Sequence, residues 1–201
     1  MKRFASLLLT LCVLFLLLGL LPVHGESQVY DKVLRIHVLA NSDSEEDQAM
    51  KLQVRDAILQ VTEPLLQEIH TREEAESVIR DHLPLLKETA DRALESLGAR
   101  HTATVELSQE SYPTRIYEQC AFPAGSYLSL RIRIGSGEGQ NWWCVLFPPM
   151  CLSAASKETA EDAFISVGFT DDQYRIITET NNPTYTVRFK ILEVLKEQLH
   201  S

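Results

Sequence analysis

The chain has 201 residues, 45% of them hydrophobic, and a formal charge of -9 from 19 basic and 28 acidic side chains. That composition suits a folded domain with a real core and argues against disorder. An acidic body also argues against non-specific nucleic-acid binding and against electrostatic docking on anionic lipid, both of which need a basic surface.

Lys2 and Arg3 precede an almost unbroken apolar run from Phe4 to Leu21, and Val23 and Gly25 then suit cleavage before Glu26. This is the pattern of a Sec-type signal peptide. An uncleaved anchor is the alternative, because the run approaches the length of a spanning helix. Cys12 follows the bulky Leu11 in the middle of that run, which argues against a lipoprotein signal. Residues 1–25 are read as the leader and 26–201 as one exported domain. Without the leader, 17 bases face 28 acids.

Val33 to Ala40 reads as a strand, with Leu34, Ile36 and Val38 on an apolar face and Arg35 and His37 on a mixed one. Ser44 is placed to cap a helix over about 45–61, with Glu45, Glu46 and Asp47 in its first turn, where the helix dipole favours negative charge. Pro64 falls just beyond. Thr71 and Glu74 form a capping box for a second helical stretch, which breaks at Pro84 and ends at Gly98. Thr102 to Ser108 alternates as a strand, and 109–126 reads as an irregular connection marked by Pro113, Pro123 and Gly125. Tyr127 to Ile134 and Asn141 to Phe147 are strands, and the glycine-rich stretch 135–140 between them suggests a β-hairpin. Lys157 to Val167 reads as a helix, Tyr174 to Thr178 as a short strand, and 184–199 as a final helix. The expected fold is α+β: a single domain with about four strands in an antiparallel or mixed sheet, helices mainly on one face.

Candidate chemistry is sparse. Asp43, Glu45 and Asp47 have the spacing of a calcium loop, but Gln48 and Val54 stand where that loop needs a glycine and a bidentate glutamate. Gly135, Gly137 and Gly139 lack the spacing and the following helix of a phosphate loop. Cys144 with His37 or His101 would make a thiol and base. Its apolar neighbours Trp143 and Val145 fit a core or disulfide cysteine better. His37 suits either a general base or a ring held by a neighbouring carboxylate or carbonyl. Trp142 and Trp143 must point to opposite faces of their strand, so one of them can anchor a partner. Export permits disulfides, and Cys144 with Cys151 is the favoured pair because Pro148 and Pro149 between them suit a tight reversal. Cys120 is then left over. No metal ligand set or cofactor motif is found.

Two long segments, L-R-I-H-V-L-A-N-S-D-S-E-E-D-Q-A-M-K-L-Q-V-R-D-A-I at 34–58 and N-W-W-C-V-L-F-P-P-M-C at 141–151, closely resemble the signatures of the stage II sporulation protein R family of endospore-forming bacteria. F-P-A-G at 122–125 and R-I-R-I-G-S-G-E-G-Q at 131–140 are similar to it as well. The resemblance implies a signalling protein and not an enzyme. It would be made in the forespore and exported into the space between the forespore and mother-cell membranes. There it would trigger a membrane-embedded aspartic protease that removes the pro-sequence of the sigma E precursor. The implied partner is the extracytoplasmic part of that protease, with no nucleic acid and no small-molecule cofactor, and with membrane contact only through the leader or the partner. On physical grounds His37, Asn41, Ser42, Asp43, Asn141 and Trp142 are the residues expected to meet the partner. The alternative is that both motifs hold the fold together. Two rival functions are an exported hydrolase of cell wall or peptides using His37, Asp43 and Cys144, and a wall-binding module using Trp142.

Overall fold

The computed structural model describes residues 29–117, 120–151 and 164–178, together with residue 10. The leader apart from residue 10, residues 157–163 of the expected helix and the whole of the expected helix 184–199 lie outside the described residues. The elements follow in the order β1 (Leu34–Leu39), α1 (Glu45–Leu66), α2 (Arg72–Asp81), α3 (Leu83–Ser96), β2 (Ala103–Tyr112), β3 (Arg115–Ile116), β4 (Ala121–Phe122), β5 (Gly125–Ile134), β6 (Asn141–Phe147) and α4 (Asp171–Thr178). The class is α+β, as expected, with a four-stranded mixed sheet and a separate two-stranded ribbon of β3 and β4.

Local chemistry sets the helix ends. The Ser44 hydroxyl accepts from the Asp47 amide at 3.1 Å, and the Thr71 and Glu74 capping box is complete. Gly98 closes α3 at φ +72°, a conformation open to residues without a Cβ. Two expected boundaries move. Helix α1 runs past Pro64 to Leu66. A proline so near the end forfeits one bond to the preceding turn, while Leu59, Thr62 and Leu66 stay buried and hold the last turn down. Strand β2 continues through 109–112, because those residues still pair with Leu128, Tyr127, Ser126 and Gly125 of β5.

Sheet order is β2-β5-β1-β6, with β1 parallel to β5 and antiparallel to β6. The expected hairpin of β5 and β6 is therefore not formed, since β1 lies between them. All six residues of β1 are buried, and a strand apolar enough to be covered on both faces takes a central position. The short strand expected at Tyr174–Thr178 is helical instead, within α4. Thr170 caps it, its hydroxyl accepting a hydrogen bond from the Gln173 amide at 3.3 Å, and Tyr174 and Ile177 turn inward three residues apart.

Helices α1, α2 and α3 cover one face of the sheet. Val54, Ile58, Ile79, Leu86 and Leu94 pack there on Ile36, Val38, Leu130 and Ile132. A second cluster, with Phe164, Phe169, Tyr174 and Ile177, covers part of the other face over Val33, Tyr127 and Val145. In that cluster Arg35 is fully buried. Its guanidinium carbon lies 4.0 Å from the Tyr112 ring centroid and 4.9 Å from that of Tyr127, and Nη2 donates to the Tyr117 hydroxyl at 2.7 Å. Nε and Nη1 are buried without a partner, and among the described residues no carboxylate pairs with it. Cation–π contact offsets only part of the desolvation of such a charge. Arg35→Met should therefore stay within about 1 kcal/mol of the parent in urea unfolding, whereas Arg35→Ala should lose about 3 kcal/mol through the void it leaves. Equal losses in both variants would mean that the charge itself holds the fold.

Candidate functional site

Among the described residues, the part of the second sheet face outside that cluster carries a row of polar side chains, with His37 buried and the others at least partly exposed. Strand register places Glu106 opposite Arg131, Arg131 opposite His37, and His37 opposite Trp143, so the four cross β2, β5, β1 and β6 in line. Glu110, two pleats along β2, reaches back toward the same row. His37 Nδ1 donates to the Glu110 carboxylate at 3.1 Å, and Nε2 meets the Asn141 Oδ1 at 2.8 Å. The Trp143 ring lies 5.3 Å from the imidazole, and the Arg115 guanidinium of β3 sits over the indole at 3.7 Å. Arg131 Nε lies 3.3 Å from Glu110. Burial works against ionisation of Glu110, yet the hydrogen bonds from His37 and Ser129 and the nearby His37 and Arg131 charges outweigh it and hold the carboxyl below its ordinary range. Arg131 and Trp143 are half-buried, while Glu106, Arg133 and Asn141 are exposed. Ile116, at the tip of the β3–β4 ribbon, is 76% exposed.

The second assembly joins the end of β1 to the glycine-rich loop 135–140. The Asn41 Oδ1 accepts from the Ser136 amide at 3.1 Å, and its backbone carbonyl accepts from the Ser136 hydroxyl at 2.8 Å and the Glu138 amide at 3.2 Å. The Gly139 amide donates to the Ala40 carbonyl at 3.0 Å, and the Gln140 amide to Asp43 at 2.7 Å. Asp47 accepts from Ser42 at 2.5 Å and from Asn41 at 2.9 Å, and these two hydrogen bonds lower its pKa. The Lys51 ammonium closes the assembly, donating to the Gln140 carbonyl at 3.0 Å and to Gln48 at 2.6 Å. Burial depresses its pKa, with Asp43 opposing.

The residues singled out from sequence thus fall into three places. His37, buried, and Asn141, exposed, are brought together on the sheet face away from the three helices. Asn41, Ser42 and Asp43 spend their polar atoms on the loop and the helix cap. Trp142 faces the helices, half-buried, with the Arg55 guanidinium 5.1 Å from its ring, and Trp143 is the tryptophan on the polar row. Cys144 pairs with Ile36 on the helix side, opposite in pleat to His37, and Asp43 lies in the loop assembly. The three groups of the hydrolase reading do not meet. Glu110, Arg115 and Arg131 were not singled out from the sequence. The alternation Thr104, Glu106, Ser108, Glu110, Tyr112 was the signal for the first of them. Among the described residues no three His, Cys, Asp or Glu side chains gather as a metal site.

Fold and site together define a small mixed-sheet α+β protein that carries a linked row of polar groups on the sheet face away from α1, α2 and α3. The family model for stage II sporulation protein R matches residues 30–157, and the chain belongs to that family. It is 42% identical over 121 residues to the curated stage II sporulation protein R of Bacillus subtilis (strain 168), an alignment covering 60% of this chain and 54% of that protein. The chain thus spans about half the length of the curated relative it matches. No solved structure matches. Membership gives the chain a role in sporulation.

Proposed function

We propose that this chain is a secreted intercompartmental signal of sporulation that activates a membrane-embedded aspartic protease, leading to removal of the pro-sequence of the sigma E precursor. It acts by contact and supplies no catalytic group. The observation that carries this reading is the family match over 30–157, which spans both the polar row and the loop assembly at the end of β1. The leader pattern at 1–25 supports export from the forespore into the space between the two membranes. The partner-facing surface is the half-buried Arg131, Glu110 and Trp143 of the row, with Asn141 and the exposed Ile116 at its borders and the buried His37 bracing Glu110 and Asn141 from within. Asn41, Ser42 and Asp43 tie the end of β1 to the 135–140 loop and to the start of α1.

A ligand shifts a conformational equilibrium only by its difference in affinity for the two states. The signal therefore works by binding the active form of the protease more tightly than the resting one. Purified protein lacking the leader should bind the extracytoplasmic part of the protease at micromolar concentration in a calorimetric titration. No heat and no binding at that concentration would count against the reading.

A further inference from the structure

The end of β6 holds an arrangement that the signalling role leaves unused. The Met150 amide donates to the Val145 carbonyl at 3.3 Å, closing the chain back on itself through Leu146 to Pro149. Positions 144 and 151 are the next facing pair outward from that closure. Both sulfurs then gather on one oxygen: the Cys151 thiol donates to the Val145 carbonyl at 2.9 Å, and the Cys144 sulfur lies 3.9 Å from it. Both side chains border the helix-side core, Cys144 buried and Cys151 half-buried. A hydrogen bond from Cys151 eases ionisation of Cys144, while burial and the neighbouring sulfur hold the proton on Cys151. Cys120 differs. It is buried in the other cluster, and burial pushes its thiol up to about 12.

We propose that Cys144 and Cys151 close into a disulfide by exchange with a disulfide oxidant, and that the bridge fixes the end of the strand that carries Trp143. The two S–H bonds of the cysteines and the S–S bond of the oxidant break. One Cys144–Cys151 bond and two S–H bonds on the reduced oxidant form, and the two electrons lost by the cysteine pair are gained by the oxidant. The inference rests on the export reading for its compartment, since such bridges persist outside the cytoplasm.

The test uses the full chain, purified in detergent, reduced, and then exposed to oxidised glutathione. It is next denatured, alkylated and cut with trypsin. Residues 134–157 form one tryptic peptide holding both cysteines, and Cys120 falls in a separate peptide, 116–131. The expected result is a 134–157 peptide lighter by two hydrogens that takes no alkyl group, with Cys120 fully alkylated. Two alkyl groups on 134–157, a glutathione adduct there, or a link to the Cys120 peptide would each overturn the pairing. The readout is a mass on purified protein, so its failure leaves the signalling reading standing, and a failure of signalling leaves the pairing standing.

Discussion

Gly139→Val is expected to cost the fold about 3 kcal/mol or more, read as a drop in the urea midpoint at unchanged slope. A Cβ built on Gly139 falls 2.5 Å from the Ser42 carbonyl carbon and closer still to its oxygen, and both are backbone atoms. Ser42 cannot yield, because its hydroxyl is bonded to Asp47 and its carbonyl accepts from Gln48 at 2.9 Å. The loop would have to lift, breaking the bonds from Gly139 to Ala40 and from Gln140 to Asp43. Gly137 is the control. It has φ +69°, but its Cβ would meet only the flexible side chain of Arg133. Gly137→Ala should therefore lose only the backbone strain of about 1 kcal/mol. A Gly139→Val loss no larger than that of Gly137→Ala would show that the loop does not lock onto the strand-to-helix junction.

The second large effect is on binding. Trp143→Ala should weaken association with the protease by about 30-fold or more, equivalent to about 2 kcal/mol, the loss typical of an aromatic anchor at the centre of an interface. The indole is held between the Arg115 guanidinium and the His37 ring, so it is presented to a partner with little side-chain freedom left to lose. Trp142→Ala removes a ring of the same size from the helix side of the same strand. It should lower stability while leaving the affinity of the folded protein within about threefold, below the 1.4 kcal/mol of a tenfold change. Equal affinity losses in the two variants would place the interface elsewhere.

The contrast between the two tryptophans shows how far the sequence could be read. Strand alternation required them to face opposite ways, but which face stayed open depended on where the helices packed. The caps at Ser44 and Thr71 and the glycine at 98 were legible because each rests on a few neighbouring atoms. Sheet order was not. Residues 135–140 have the composition of a hairpin turn, yet their amides and hydroxyls bond to Ala40, Asn41 and Asp43, about a hundred residues earlier in the chain. That long-range pairing goes with the place of β1 between β5 and β6. Glu110 was lost for a similar reason. Beyond Ser108 the positions in phase with Ala103, Val105 and Leu107 become the exposed Gln109 and Ser111, so the apolar alternation fades although pairing with β5 continues. Tyr174 to Thr178 has the β-branched and aromatic content of a strand, but the Thr170 cap starts a helix just before it.

The measurement that bears most directly on the signalling role is co-expression of this chain with the sporulation protease and the sigma E precursor in a host that does not sporulate. Cleavage of the precursor that appears only when the chain is present, and falls away with Trp143→Ala in protein that still folds, is the expected result. Cleavage that proceeds equally without the chain would contradict the account.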